Sequence, residues 1–388
     1  MFEKTRRHDR IFRGLPMRTA FAAGLLSLTG GMIASAPAYA QPVVRVDDPG
    51  NVRGAVYVPA GAWNAPQMWK NFSRAEADRD LGYARELNLN SLRVWASYEY
   101  WQMDPEKFAA NFDSFLASAK AHHIRILVAL FENVGEEPTQ ANMWSTDPRT
   151  AFAILSPARA IAADNTRWEA PRKFVRWFMK RYGDDDRLLA IEVMNEPQYR
   201  GQKVATLPFA MDMFRTAKAV QGTVPLTIGT NTLDVAEKFV PLGLDILQFH
   251  NNFPQDDASF RSNVAAAMAL GKRAGIPVWL TEWQRIRSGG SGWADEPVTS
   301  GDAGISYGPL AHDVRQYHIG NFFWSLMVKR AYLKVQRFKG TVNGLVWPDG
   351  SVASLADARA IAGDPTLDMP EKPIPADFGA LPAKADGQ

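Results

Sequence analysis

The sequence predicts an α/β protein with the (β/α)8 TIM-barrel architecture and a single catalytic domain, on three observations. Short apolar, partly β-branched runs alternate with longer amphipathic stretches, the pattern of parallel βα units. Eight such runs can be placed. One of them, Ala190-Ile191-Glu192-Val193-Met194-Asn195-Glu196-Pro197, ends at a proline that cannot donate to a central ladder. It leaves an amide and a carboxyl at the C-terminal end of a strand, where a parallel barrel carries its chemistry. The rival architecture, an open doubly wound sheet, lacks its phosphate-binding fingerprint, since Gly54 and Gly61 do not form G-x-G-x-x-G.

The elements follow in order. Strand one is expected over Ala55–Val58, and Ser73 with Glu76 forms a capping-box pattern opening the next helix. Strand two is Ser91–Trp95. Asp104-Pro105 starts a helix, with proline at the first helical position. Strand three is Ile124–Leu130, followed by a long irregular segment over 131–167 and a helix over Pro171–Tyr182. Strand four ends in Asn195-Glu196-Pro197, and a helix over 207–220 leads to strand five at Pro225–Gly229. A short helix over 233–240 precedes strand six, Asp245–His250, and the alanine-rich Ala258–Ala274 is helical. Strand seven is Pro277–Glu282. A glycine- and serine-rich loop spans 285–306, a helix 308–317, and strand eight Asn321–Leu326. The helix Ala353–Ile361 closes the barrel, and residues 364–388, rich in proline and alanine, read as a tail on the surface or disordered.

Residues 1–40 read as an export signal, placing the barrel over 41–363. Lys4, Arg6, Arg7, Arg10, Arg13 and Arg18 precede an apolar run from Thr19 to Ile33, and Ala38-Tyr39-Ala40 forms an A-x-A cleavage site. The expected location is therefore periplasmic or secreted. This leader carries a net charge of +4 of the chain's +3, so the mature chain is close to neutral at −1. Nothing in that balance calls for nucleic acid or an anionic membrane as a partner, and no mature apolar stretch is long enough to span a bilayer. There is no cysteine, which excludes disulfides, thiolate nucleophiles and Cys-based metal sites. No clustered His/Asp pattern points to a metal, and no cofactor is expected.

Two carboxyls end strands that face each other across the barrel: Glu196 on strand four and Glu282 on strand seven. Glycoside hydrolysis needs such a pair, one donating a proton to the leaving oxygen, the other attacking the anomeric carbon or activating water. The motifs Asn195-Glu196-Pro197 and Thr281-Glu282-Trp283, with Arg93, His250 and Trp324 at strand ends, resemble those of clan A glycoside hydrolases, close to family 5 and its cellulase- and mannanase-like relatives. The resemblance covers about residues 50–362. It implies a retaining mechanism on a β-linked carbohydrate, with Glu196 as acid/base and Glu282 as nucleophile. It also implies substrate-side roles for neighbouring residues. Asn195 bonds the sugar 2-hydroxyl, and Arg93 holds Glu282 ionised or pairs with Glu192. His250 bonds substrate or a catalytic carboxyl, and Trp324 forms a platform under the sugar. Trp63 and Trp283 are placed at the mouth, as are Trp95, Trp101, Trp144 and Trp293. Two positions depart from the family. Asn252 stands where a tyrosine commonly bonds the nucleophile, and Phe131-Glu132-Asn133 stands where a histidine often ends strand three. Glu132, Glu136 and Glu137 are either a polar subsite or a solvated acidic loop. A barrel that only binds carbohydrate, or one that transfers glycosyl groups between sugars, remains as an alternative.

Overall fold

The computed structural model describes residues 43–198, 206–286 and 304–381. Eight parallel strands form the barrel: β1 (Arg53–Val56), β2 (Ser91–Trp95), β3 (Arg125–Glu132), β4 (Leu188–Asn195), β5 (Leu226–Gly229), β6 (Ile246–Asn252), β7 (Val278–Ile286) and β8 (Gly320–Phe323). They pair in the order β6-β5-β4-β3-β2-β1-β8-β7, and β7 returns to β6, closing the cylinder. One main helix follows each strand: α1 (Arg74–Glu86), α2 (Pro105–Ala121), α3 (Glu169–Tyr182), α4 (Leu207–Lys218), α5 (Leu233–Glu237), α6 (Asp257–Ala274), α7 (Gly308–Gln316) and α8 (Leu355–Ala362). No helix among the described residues is long and apolar enough to cross a membrane. The leader and its cleavage site lie outside the described residues.

The helices start where local chemistry dictates. The Ser73 hydroxyl accepts from the Glu76 backbone N–H at 3.3 Å, and Asp104 accepts from Lys107 N–H at 2.9 Å with Pro105 at the first position. The expected capping box at Ser73 is thus half made, because the Glu76 carboxylate turns to Arg79 instead. A complete box stands at Asp256/Ser259, opening α6. α3 buries Phe174, Val175, Phe178, Met179 and Tyr182, a stripe at helical spacing that packs on the sheet.

Inside the barrel the two ends differ. Val52, Leu127, Leu189, Ile246, Trp279 and Phe322 form an apolar plug at the N-terminal end. Gly54 admits it: a Cβ there would sit 2.2 Å from the Phe322 ring. Towards the C-terminal ends the interior turns polar, with Arg93, Glu192, Thr227, Gln248 and Thr281 wholly buried. The described part of the tail, 364–381, is packed. Val352 N–H donates to Pro370 O at 2.8 Å, Trp347 Nε1 donates to Lys372 O at 2.6 Å, and Phe378 meets Trp347 edge-on at 5.1 Å.

Candidate active site

Both strand-end carboxyls open into one pocket of about 930 Å3, counting its solvent-open part, at the C-terminal face of the barrel. Glu196 is 6% exposed and Glu282 4%. One oxygen of each, with a nitrogen of His250, lie within 4.8 Å of one another. Register explains part of this: His250 and Glu282 are Cα partners across β6 and β7. Glu196 gets there differently. It has φ +44°, a left-handed backbone that side chains rarely adopt, and its N–H is held by Gly229 O at 2.9 Å. That turn lets Asn195 and Glu196, adjacent in sequence, both serve the site.

Arg93 organises the floor. Fully buried, it donates Nε and Nη2 to the two Glu192 oxygens at 2.7 Å each, Nη1 to Glu282 at 2.7 Å, and Nη2 again to Asn195 Oδ1 at 2.8 Å. Both expected partners, Glu192 and Glu282, are engaged at once, and the guanidinium's own pKa is raised because their charges outweigh its burial. Gly229 makes room for this pair, since a Cβ there would lie 2.3 Å from Glu192 Oε1. Arg93 lies beneath the pocket and does not line it.

The two carboxyls sit in opposite surroundings. Glu282 receives a cationic donor on one oxygen and, on the other, the Asn252 amide at 2.8 Å. Asn252 therefore bonds the carboxyl that the family's tyrosine commonly bonds. Behind it, Gln284 Nε2 donates to Asn252 Oδ1 at 3.0 Å and Asn343 Nδ2 to Gln284 Oε1 at 2.8 Å, fixing each amide's orientation. Burial raises the Glu282 pKa, against the pull of His250 and Arg93. Among the described residues, the Glu196 carboxyl is bonded by His250 Nδ1 alone, at 2.6 Å. Burial lifts Glu196 to about 8, with Arg93 opposing and Glu192 adding to the rise. Burial lowers His250 to about 4, so the imidazole is neutral near pH 7 and the short contact shares one proton.

Asn195 is also held from the far side: its Nδ2 donates to both oxygens of Glu132, at 2.9 and 3.0 Å. β3 runs two residues past the expected end, placing Glu132 at its last position, in the pocket wall. Burial pushes its carboxyl well above the ordinary range. Glu137 pairs with Arg159 at 3.1 Å and Glu136 pairs through its backbone with Ala153 and Leu155, so only Glu132 of that trio reaches the pocket.

The tryptophans divide. Trp63, Trp95 and Trp324 line the pocket, and Trp324 stands edge-on to Trp95 at 5.9 Å. Trp283, expected at the mouth, is instead 1% exposed, wedged between Tyr307 and Phe323. Trp101 packs on Phe174 and Trp177, and Trp144 lies under Lys70, both away from the pocket. Trp293 lies outside the described residues. The sequence reading missed Gln284, although period two along β7 puts it on the face of Glu282. It also missed Tyr332, Leu333 and Gln336, from an insert after β8 that line the pocket.

The sequence from 59 to 330 matches the family model for cellulase, glycosyl hydrolase family 5. A search of curated proteins finds no match. Similar solved structures include an exo-β-1,4-mannosidase from an Opitutaceae bacterium, with a TM-score of 0.57 and 15% identity over 82% of this chain and 62% of that one. Another is GH5_18 from Streptomyces cattleya in complex with GlcNAc, with a TM-score of 0.54 and 13% identity over 85% and 87%. A third is a hyperthermostable endo-1,4-β-D-mannanase from Thermotoga petrophila, with a TM-score of 0.50 and 15% identity over 71% and 88%. At such identities these structures establish the fold, and the family match carries the classification: the chain belongs to the cellulase family, glycosyl hydrolase family 5, and is a glycoside hydrolase.

Proposed function

We propose that this protein is a retaining β-glycosidase working by double displacement, with Glu196 as acid/base and Glu282 as nucleophile. The observation that carries the reading is the asymmetry of the two buried carboxyls. Glu282 accepts from Arg93 and Asn252, donors that favour its ionised form, whereas Glu196 is lifted to about 8 and so holds a proton near neutrality. Their approach to within 4.8 Å suits direct attack by one of them and leaves little room for the intervening water of an inverting pair.

In the first step the Glu282 carboxylate attacks the anomeric carbon while Glu196 gives its proton to the departing oxygen. The glycosyl ester that forms has lost the charge of Glu282. That loss lowers the Glu196 pKa and readies it to take a proton from water, which then cleaves the ester. Arg93 holds the nucleophile, His250 orients Glu196, and Trp324 offers an apolar face to the sugar. β-Mannosides head the substrate panel because the structural neighbours include mannanases and a mannosidase. The leader read over 1–40 supports export from the cytoplasm, and N-terminal sequencing of the exported protein should begin at Gln41.

The test uses aryl β-mannosides, β-glucosides and β-xylosides. Glu282→Ala should abolish turnover. Glu196→Gln should retain activity only on substrates with good leaving groups, and azide should partly restore it as the β-glycosyl azide. Proton NMR should show the β-anomer as the first product. Full activity in either variant, or an α-anomer first, overturns the assignment.

A further inference from the structure

We propose that the pocket is closed at its glycone end, so that the enzyme releases single sugars from the non-reducing terminus, with Glu132 accepting a hydroxyl of that terminal sugar. This rests on the roles given to Glu196 and Glu282 above.

Three chain segments, distant in sequence, meet over the ends of β8, β1 and β3. From the insert after β8, Lys329 Nζ donates to the carbonyls of Pro59, at 3.0 Å, and Ala62. Arg337 reaches Pro148 O at 2.5 Å, in the loop after β3, and also Ala331 O. Both cations approach the Trp63 ring, the Arg337 guanidinium at 4.3 Å and Lys329 Nζ at 5.0 Å from its centre. The loop after β3 donates back, Ala153 N–H to Tyr332 O at 3.0 Å. Gln67, from the segment after β1, donates to Met143 O and Ser145 O at 2.9 and 2.8 Å. Asn64 adds longer bonds to Met143 O and Phe152 O. The inner face of this wall presents Trp63, Ala153, Ile154, Tyr332, Leu333 and Gln336 to the pocket.

The carboxyls set the direction in which a chain would lie. The leaving oxygen must reach Glu196, beyond the end of β4. The Trp324 platform is at the opposite side, edge-on to Trp95 and to Tyr332 of the wall, at 5.9 and 5.6 Å. A sugar on Trp324 with its anomeric bond at Glu196 therefore points its other end into the wall. An internal sugar would need an exit there for the next unit; a terminal sugar carries only hydroxyls.

Glu132 stands where the wall joins the barrel. Its backbone exchanges two hydrogen bonds with Ser156, both 2.8 Å. Its Oε1 accepts from Val134 N–H at 2.7 Å and from Asn195, while Oε2, among the described residues, accepts from Asn195 alone, leaving it capacity for another donor. A hydroxyl can supply that donor. The Val134 N–H and the Asn195 amide favour the ionised carboxylate against the burial that raises its pKa, and to that form a glycosidic oxygen has no hydrogen to give; sites built for a hydroxyl discriminate strongly against analogues without it.

The test uses the wild-type enzyme on reducing-end-labelled β-1,4-mannopentaose and cellopentaose, followed by mass spectrometry. Each is also prepared with the terminal 4-hydroxyl methylated. The expected first products are a monosaccharide and a labelled tetrasaccharide, with the methylated chains cleaved at least 100-fold more slowly. Glu132→Gln should melt within a few degrees of wild type, lose at least 10-fold in kcat/KM on the free-ended chain, and discriminate less against the methylated one. Free di- or trisaccharide among the first products, or equal rates on blocked and free ends, overturns the closed-end proposal while leaving the glycosidase reading intact. Unchanged discrimination in Glu132→Gln overturns the role of Glu132. Absence of cleavage of both chains and of the aryl glycosides overturns the glycosidase reading itself.

Discussion

Arg93→Met tests the electrostatic floor of the site most directly. Methionine keeps much of the volume and removes four charge-assisted hydrogen bonds, two to Glu192 and one each to Glu282 and Asn195. Two buried carboxylates then face each other without a cation. Breaking a buried pair from one side costs about 3–5 kcal/mol, and the melting temperature should fall by several degrees. The Glu282 carboxylate also loses a unit charge, worth about 4 kcal/mol at ~4 Å with an effective dielectric of ~20. At ~1.4 kcal/mol per pKa unit, that moves its pKa up by about 2–3 units. The acid limb of kcat/KM should shift upward accordingly, with activity on that limb, below the wild-type pKa, down by roughly 100- to 1000-fold. The sign for stability follows. A carboxyl raised in the folded state contributes stability that is full below its unfolded pKa and is lost as pH rises through the folded value. The melting gap between variant and wild type should therefore be smaller at pH 5 than at pH 8, and Glu192→Gln added to Arg93→Met should recover part of it. Circular dichroism melts and pH–rate profiles read both. A pH-independent gap, or an unmoved acid limb in a folded variant, would refute the reasoning.

Other consequences are equally open to measurement. Because Glu196 must carry a proton and burial lifts it to about 8, wild-type kcat/KM should fall above about pH 8, and that limb should vanish in Glu196→Gln on activated substrates. Trp283→Ala and Trp324→Ala should separate cleanly. The first creates a core cavity costing about 3–5 kcal/mol with KM unchanged in the surviving protein, and the second raises KM with little loss of melting temperature. Asn252→Ala removes one of the donors to Glu282 and should raise the acid limb in the pH–rate profile without unfolding the barrel. Gly229→Ala would press a methyl 2.3 Å from Glu192 Oε1, which Arg93 holds in place, and overpacking of that kind costs about 1–3 kcal/mol in a denaturation curve.

The barrel was legible because its signals are local. Pro197 ends β4, Asp104-Pro105 starts α2, and the apolar runs sit where the strands are. The carboxyl pair followed from strand order together with the motifs Asn195-Glu196-Pro197 and Thr281-Glu282-Trp283, since the fourth and seventh strands face one another. Trp283 failed for a reason that strand geometry supplies. It follows Glu282 directly on β7, and successive side chains point to opposite faces, so Glu282 in the mouth sends Trp283 outward. Asn195 and Glu196 break that alternation only because of a backbone turn at Glu196, which no propensity scale foretells. The β8 insert stayed hidden because its ties are long-range and made to carbonyls, which every residue carries. The position of Glu132 was visible, but its partner Asn195 lies across β3 and β4.

The way the wall is fastened has an implication for redesign. The hydrogen bonds of Lys329 and Arg337 to the described residues go to main-chain oxygens, at Pro59, Ala62, Pro148 and Ala331. The charged half of each clasp thus resides in a short stretch of sequence, and the carbonyls it grips make no demand on side-chain identity, whereas Trp63, Asn64 and Phe152 add ties of their own. A library that diversifies Ala153 and Ile154, which line the pocket, while retaining both cations together with Trp63, Asn64 and Phe152 would resurface the pocket without unfastening it. Exchanging the two cations would instead loosen all three segments together, making 329–343 a single handle on how deep the cleft runs.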